Sequence, residues 1–140
     1  QGKAAVKTQR RAMGHLLGNA VRLTPHDDIL VVGEGIETML SLVEAMPGLP
    51  VWAALSSGHL GAVLLPEVLQ RLYIAIDRDP AGQRAAERLS ARALDAGIAV
   101  RVLEPRLGDF NDDLRAYGKE ALRLHLASQI GFEDRHRLSG

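Results

Sequence analysis

The sequence contains no cysteine. Disulfides, thiolate zinc sites and cysteine nucleophiles are therefore excluded, and a cytoplasmic location is the natural expectation. Aromatic residues are scarce, at 4% of 140 residues. Aliphatic side chains must fill the core, and an aromatic platform for stacking bases is disfavoured. No lysine lies between Lys7 and Lys119. No segment is long and apolar enough to span a bilayer, and residues 1–23 lack the apolar centre of a signal peptide. Net charge is absent too, with 17 basic and 17 acidic residues. A domain that grips DNA through excess positive charge looks different. The charge is unevenly placed, however. Lys3, Lys7, Arg10, Arg11 and Arg22 share an acid-free stretch, either a nucleic-acid contact or a plain solvated arm.

What is present is a hydrophobic fraction of 46%, enough for one domain with a real core. Gly14 and Gly18 punctuate a stretch ending Ala20-Val21-Arg22-Leu23, expected as a lead-in strand or hairpin. Ile29-Leu30-Val31-Val32 reads as a strand buried on both faces. A helix is expected over Ile36 to Ala45, stopped by Pro47-Gly48-Leu49-Pro50. Val51 to Ala54 gives a second strand, and a short helix follows toward Leu64. Pro66 is expected to open one further helical turn. Leu72 to Ile76 is the clearest strand and runs into Asp77-Arg78-Asp79. Pro80 suits a first helical turn, Ala81, Ala85, Leu89 and Ala93 form an i+4 stripe, and Gly97 suits a left-handed cap. Ile98 to Leu103 gives a further strand, Gly108 to Asp113 a polar loop, and Lys119 to Ile130 a last helix. Strands alternating with helices predict an α/β fold, Rossmann-like, with a mostly parallel sheet covered on both faces. The expected organisation is a basic lead-in over 1–28, either free or part of an adjoining subdomain, a folded domain over 29–130 and a tail over 131–140.

Ligands in open α/β folds bind beyond the carboxyl ends of the strands. Glu34 follows the first strand, Asp77 and Asp79 follow the clearest one, and Asp109, Asp112 and Asp113 follow the last. A parallel sheet gathers these ends on one rim. Ionised carboxylates brought together without a basic partner need a shared cation. An oxygen-only donor set selects a hard cation: Mg²⁺ first, Mn²⁺ as a substitute and Ca²⁺ as a non-productive competitor. Such clusters point to phosphoryl chemistry. Each residue also has a plain structural reading. Glu34 can serve a helix start, Asp77 and Asp79 a turn and an N-cap, and the later acids a polar loop.

The order of a strand with Glu34-Gly35 and a later strand with Asp77-Arg78-Asp79 resembles the Toprim domain. Val32 to Thr38 and Asp77 to Gly82 look like its primase-like branch, found in phage, plasmid and mobile-element proteins. Gly108-Asp109-Phe110-Asn111-Asp112 resembles that branch's later acidic element, and Ala53 to Leu60 its second-strand loop. The resemblance spans Ile29 to Ile130. Many members carry a lysine where this chain has Gly108, so that lysine's phosphate role must fall to another residue.

The resemblance implies a Toprim catalytic domain over 29–130. Asp77 and Asp79 would be the main metal ligands, with Glu34 a further ligand or general acid–base. Asp109 and Asp112 would complete a second metal position or hold waters. Gly35 would let backbone approach phosphate, Asn111 would orient a carboxylate, and Arg78, Arg84 and His59 are candidates for phosphate contact. The implied activity is Mg²⁺-dependent nucleotidyl transfer on a single-stranded DNA template with nucleoside triphosphates. Flanking zinc-binding or helicase-type domains would belong to a longer chain. Phosphodiester hydrolysis and a non-catalytic nucleic-acid or partner-binding role stay open as alternatives.

Three other enzyme classes fit less well. A haloacid-dehalogenase-like phosphatase needs a lysine and a strand-borne hydroxyl in an interval that holds neither. A phospho-receiver domain needs a lysine at a late strand end. A topoisomerase needs an attacking tyrosine, and neither Tyr73 nor Tyr117 has a suitable context.

Overall fold

The computed structural model describes residues 20–138. The arm bearing Lys3, Lys7, Arg10, Arg11, Gly14 and Gly18 lies outside the described residues. Among the described residues eleven elements follow in order: β1 (Val21–Arg22), β2 (Ile29–Gly33), α1 (Ile36–Ala45), β3 (Val51–Ala53), α2 (Ser57–Ala62), β4 (Arg71–Ala75), α3 (Pro80–Asp95), β5 (Ala99–Leu103), α4 (Phe110–Tyr117), α5 (Lys119–Gln129) and α6 (Phe132–Leu138). The strands form one sheet in the order β1-β3-β2-β4-β5. β3, β2, β4 and β5 run parallel, and β1 closes one edge antiparallel to β3. The expected α/β class with a mostly parallel sheet is therefore found.

Side-chain alternation along the strands divides the core in two. Ile29 and Val31 of β2 face one layer, with Tyr73 and Ala75 of β4, against Met39, Leu42, Phe110, Leu122 and Leu126. Leu30 and Val32 face the other, with Trp52, Leu72 and Ile74, against Leu60, Ala85, Leu89 and Ala93. Thus α1, α4, α5 and α6 cover one face, and α2 and α3 the other. Every residue of β2 is buried, which is why it reads as an unbroken apolar run. β5 is an edge strand, and its Val102 stays exposed.

Four local expectations change. The expected loop Gly108–Asp113 is the start of α4: Asp109 caps it and Phe110 is fully buried. The expected tail contains α6, whose Asp134 is buried. Pro66 opens an isolated turn closed by the Leu69 N–H on its carbonyl at 3.2 Å, and no helix follows. The buried stripe of α3 runs through Gly82, Ala85, Ala86, Leu89 and Ala93, and Ala81 faces solvent. Gly97 does adopt the left-handed conformation, at φ +80°.

Candidate metal centre

β2 and β4 are hydrogen-bonded neighbours that end level, with Gly33 opposite Ala75. Their onward connections part company there. The chain leaving β2 enters α1 on one face of the sheet, and the chain leaving β4 enters α3 on the other. That divergence opens a crevice at the carboxyl ends, where ligands of such sheets bind. Glu34 is the first residue beyond β2, and Asp77 lies two beyond β4. Asp79 folds back toward Asp77 through a tight turn, its N–H donating to the Asp77 carbonyl at 2.9 Å.

Local packing holds this rim. A Cβ on Gly33 would lie 2.3 Å from Met39 Sδ and 3.1 Å from the Ala75 carbonyl, so glycine permits close approach of α1. The Glu34 carbonyl accepts the Leu55 N–H at 2.6 Å, tying Glu34 to the segment after β3. Leu55 sits at φ +84°, a conformation that costs a non-glycine residue about 1–3 kcal/mol. That strain stands directly beside the acids.

One carboxylate oxygen from each of Glu34, Asp77 and Asp79 lies within 4.8 Å of the others. Glu34 Oε1 and Asp77 Oδ1 are buried without a hydrogen-bond partner. Burial, then the Asp79 charge, pushes the Glu34 carboxyl upward. Asp77 is pushed up to about 6, first by burial and then by Glu34, Asp109, Asp79 and Asp112. Those interacting charges are all negative. Buried, unpartnered oxygens on mutually repelling acids fit a hard divalent cation. The same oxygen-only donor set lacks the nitrogen and sulfur ligands that zinc prefers.

A family model described as "Toprim domain" matches residues 29–120. The chain belongs to the Toprim domain family. Among solved structures it resembles the Aquifex aeolicus primase (zinc binding and RNA polymerase domains), with 27% identity and a TM-score of 0.56. That match covers 74% of this chain and 26% of the other. It also resembles a DNA primase domain from Pseudomonas aeruginosa, with 26% identity and a TM-score of 0.53, over 73% of this chain and 33% of the other. The chain thus spans a third or less of the primase chains it matches. No curated protein sequence is significantly similar to it.

The Toprim acids serve the fold as well. Asp79 Oδ1 caps α3 by accepting the Gly82 N–H at 2.6 Å, and Asp109 Oδ1 caps α4 through the Asp112 N–H at 2.8 Å. The cap reading and the site reading are therefore both available to these two residues. Glu34 makes no cap, because Gly35 occupies that position of α1. Gly35 has φ −95°, and an added Cβ would meet only Thr38 Oγ1 at 3.9 Å. The fold itself does not demand glycine there.

The remaining candidates are differently engaged. Arg78 is held by main-chain carbonyls: Nη2 and Nε donate to Pro105 at 2.5 and 3.1 Å, and Nε also to Leu107 at 3.0 Å. Asn111 Oδ1 accepts the Ser41 hydroxyl at 3.1 Å, which fastens α4 to α1. His59 Nδ1 pairs with Ser56 Oγ at 2.6 Å, and Ser56 caps α2. Arg84 is exposed on α3.

Two contributors escape a sequence reading, and a third, Asp113, expected with the acids of the rim, is turned to another task. Asp113, almost fully buried, accepts the Arg106 and Leu107 N–H groups at 2.7 and 2.8 Å. Ser41 and the strained Leu55 are the two that the sequence does not mark. Asp113 stands in an acidic run that the sequence does show. Nothing local marks Ser41 or Leu55.

Proposed function

We propose that this Toprim domain is the Mg²⁺-dependent nucleotidyl-transfer module of a primase-like protein. The observation that carries the reading is the convergence of Glu34, Asp77 and Asp79 with two buried carboxylate oxygens left unpartnered. The likeness to primase structures supports the nucleic-acid context.

Glu34, Asp77 and Asp79 would hold the ion, with Mn²⁺ as the substitute, and Asp109 and Asp112 would complete a second position or hold waters. Bound Mg²⁺ supplies counter-charge to phosphate oxygens. Glu34 would serve either as a further ligand or as the general acid–base toward an attacking 3′ hydroxyl. Gly35 offers main chain that phosphate can approach without a side chain intervening. His59 and Arg84 would meet the triphosphate or the template backbone. Gripping single-stranded DNA would fall to other parts of a longer protein, since the chain has no net positive charge. The Aquifex aeolicus primase structure includes a zinc binding domain. A zinc-binding or helicase-type neighbour would suit the present chain.

The test is the double variant Asp77→Ala/Asp79→Ala in the full-length protein, given single-stranded DNA, nucleoside triphosphates and Mg²⁺. Metal-dependent primer synthesis is expected to fall by about a hundredfold or more, with the circular dichroism unchanged. Undiminished synthesis would sink the assignment. Shortened template without extended primer in the parent protein would move the reading to hydrolysis at the same rim.

A further inference from the structure

Arg78 stands between the two acids of the rim, yet its guanidinium is directed at another loop. That loop, Glu104 to Asp109, links β5 to α4 and delivers Asp109 and Asp112. Its main chain is held from two sides. From α4, the Asp113 carboxylate takes the N–H groups of Arg106 and Leu107 at 2.7 and 2.8 Å. From the rim, Arg78 takes the carbonyls of Pro105 and Leu107, and its own N–H donates to the Gly108 carbonyl at 2.8 Å.

The two attachments do different things. Asp113 belongs to α4, so its bonds fix the loop to the helix that follows it. Arg78 belongs to the turn that carries Asp77 and Asp79, so its bonds fix the loop to the other acids. We propose that Arg78 is a positioning residue that sets the spacing between the Glu34/Asp77/Asp79 group and the Asp109/Asp112 group. A second divalent cation is thereby held beside the first. The inference rests on the metal-centre reading above and assigns Arg78 a structural partner in place of a phosphate.

The chemistry favours arginine for this task. A planar guanidinium reaches two carbonyls at once in a fixed fork, and a lysine ammonium on a flexible stem does not reproduce that geometry. Groups that hold metal ligands in place typically change metal affinity by about 10–100-fold when removed. Arg78 is itself exposed, so replacing it leaves the two-layer core untouched.

The experiment titrates the chain with Mn²⁺ at neutral pH and follows free ion by electron paramagnetic resonance, with melting temperature recorded alongside. The parent is expected to bind two ions of unequal affinity. Arg78→Ala should weaken the second by about tenfold or more while leaving the first within about threefold. Arg78→Lys, which keeps the charge and loses the fork, should behave like Arg78→Ala. Parent-like second-ion binding in Arg78→Ala would overturn the inference. Full restoration by lysine would also overturn it, because charge alone would then suffice. So would equal weakening of both ions together with a fall in melting temperature, which marks general support of the fold. A parent that binds a single ion refutes this inference and leaves the first metal position standing. A parent that binds none refutes the metal centre as well.

Discussion

At the scale of single residues, Asp77 carries the largest electrostatic consequence. Its carboxyl titrates near 6 in the folded chain against 3.8 ordinarily, because burial and four neighbouring acids disfavour the charge. A raised acid binds its proton more tightly folded than unfolded. Its contribution to stability is therefore fully present below 3.8 and is lost as pH climbs through 6. At pH 7.5 without metal, Asp77 is a net liability. Discounted for its partial contact with water, the shift amounts to about 1–2 kcal/mol. Asp77→Asn should raise metal-free stability by that amount at pH 7.5 and by little near pH 4, as read by urea denaturation. The same substitution should abolish the stabilisation that Mg²⁺ gives the parent. In the parent, that stabilisation should fade below pH 6, where protons compete for the ligand. Equal urea midpoints for parent and variant at pH 7.5 would show that the acids do not repel as the structure implies.

At the scale of elements, α6 shows how little sequence pattern a docked helix needs. Its only apolar residues are Phe132 and Leu138, and Phe132 points to solvent. Leu138 alone enters the core, and the rest of the attachment is polar. Tyr73, in mid-strand, donates its hydroxyl to the buried Asp134 at 2.5 Å and accepts the Gly131 N–H at 3.0 Å. Burial and the Asp134 carboxylate push that phenol up to about 12. Removing the hydroxyl strands a buried carboxylate oxygen and an amide together. Tyr73→Phe should therefore cost about 1–3 kcal/mol in urea denaturation, far more than the loss of an exposed hydroxyl. A cost near zero would show that α6 is held by something else.

The contrast between α6 and β2 explains what a sequence reveals here. Ile29 to Val32 is legible because a strand buried on both faces is an unbroken apolar run, and Glu34 is legible because it interrupts that run. Asp77 and Asp79 are legible in the same way. Asp134 pairs with a tyrosine 61 positions away, and Arg78 with carbonyls 27 and 29 positions away. Such contacts leave no local trace. α4 is a different case, since its signals are present in the chain: Asp109 as a cap, then Phe110, Leu114 and Tyr117 on one face. Its density of acids hides them.

At the scale of the whole molecule, the balance of 17 basic and 17 acidic residues conceals a polarity along the strands. One end of the sheet gathers Glu34, Asp77, Asp79, Asp109 and Asp112. The opposite end gathers opposite charges. Arg71 opens β4 and meets Glu133 at 2.6 Å and Asp134 at 3.2 Å, while Arg137 meets Asp28, just before β2, at 2.6 Å. Added electrolyte shields both ends, with opposite results: it relaxes the repulsion above and loosens the attraction below. A metal-free parent should thus melt at nearly the same temperature in dilute buffer and in half-molar sodium chloride, a concentration of roughly 0.5 M at which the Debye length is only a few ångströms. With Asp77→Asn the repulsive end is weakened, so the melting temperature should fall as sodium chloride rises. A protein that looks indifferent to ionic strength would then be one in which two opposing sensitivities happen to cancel.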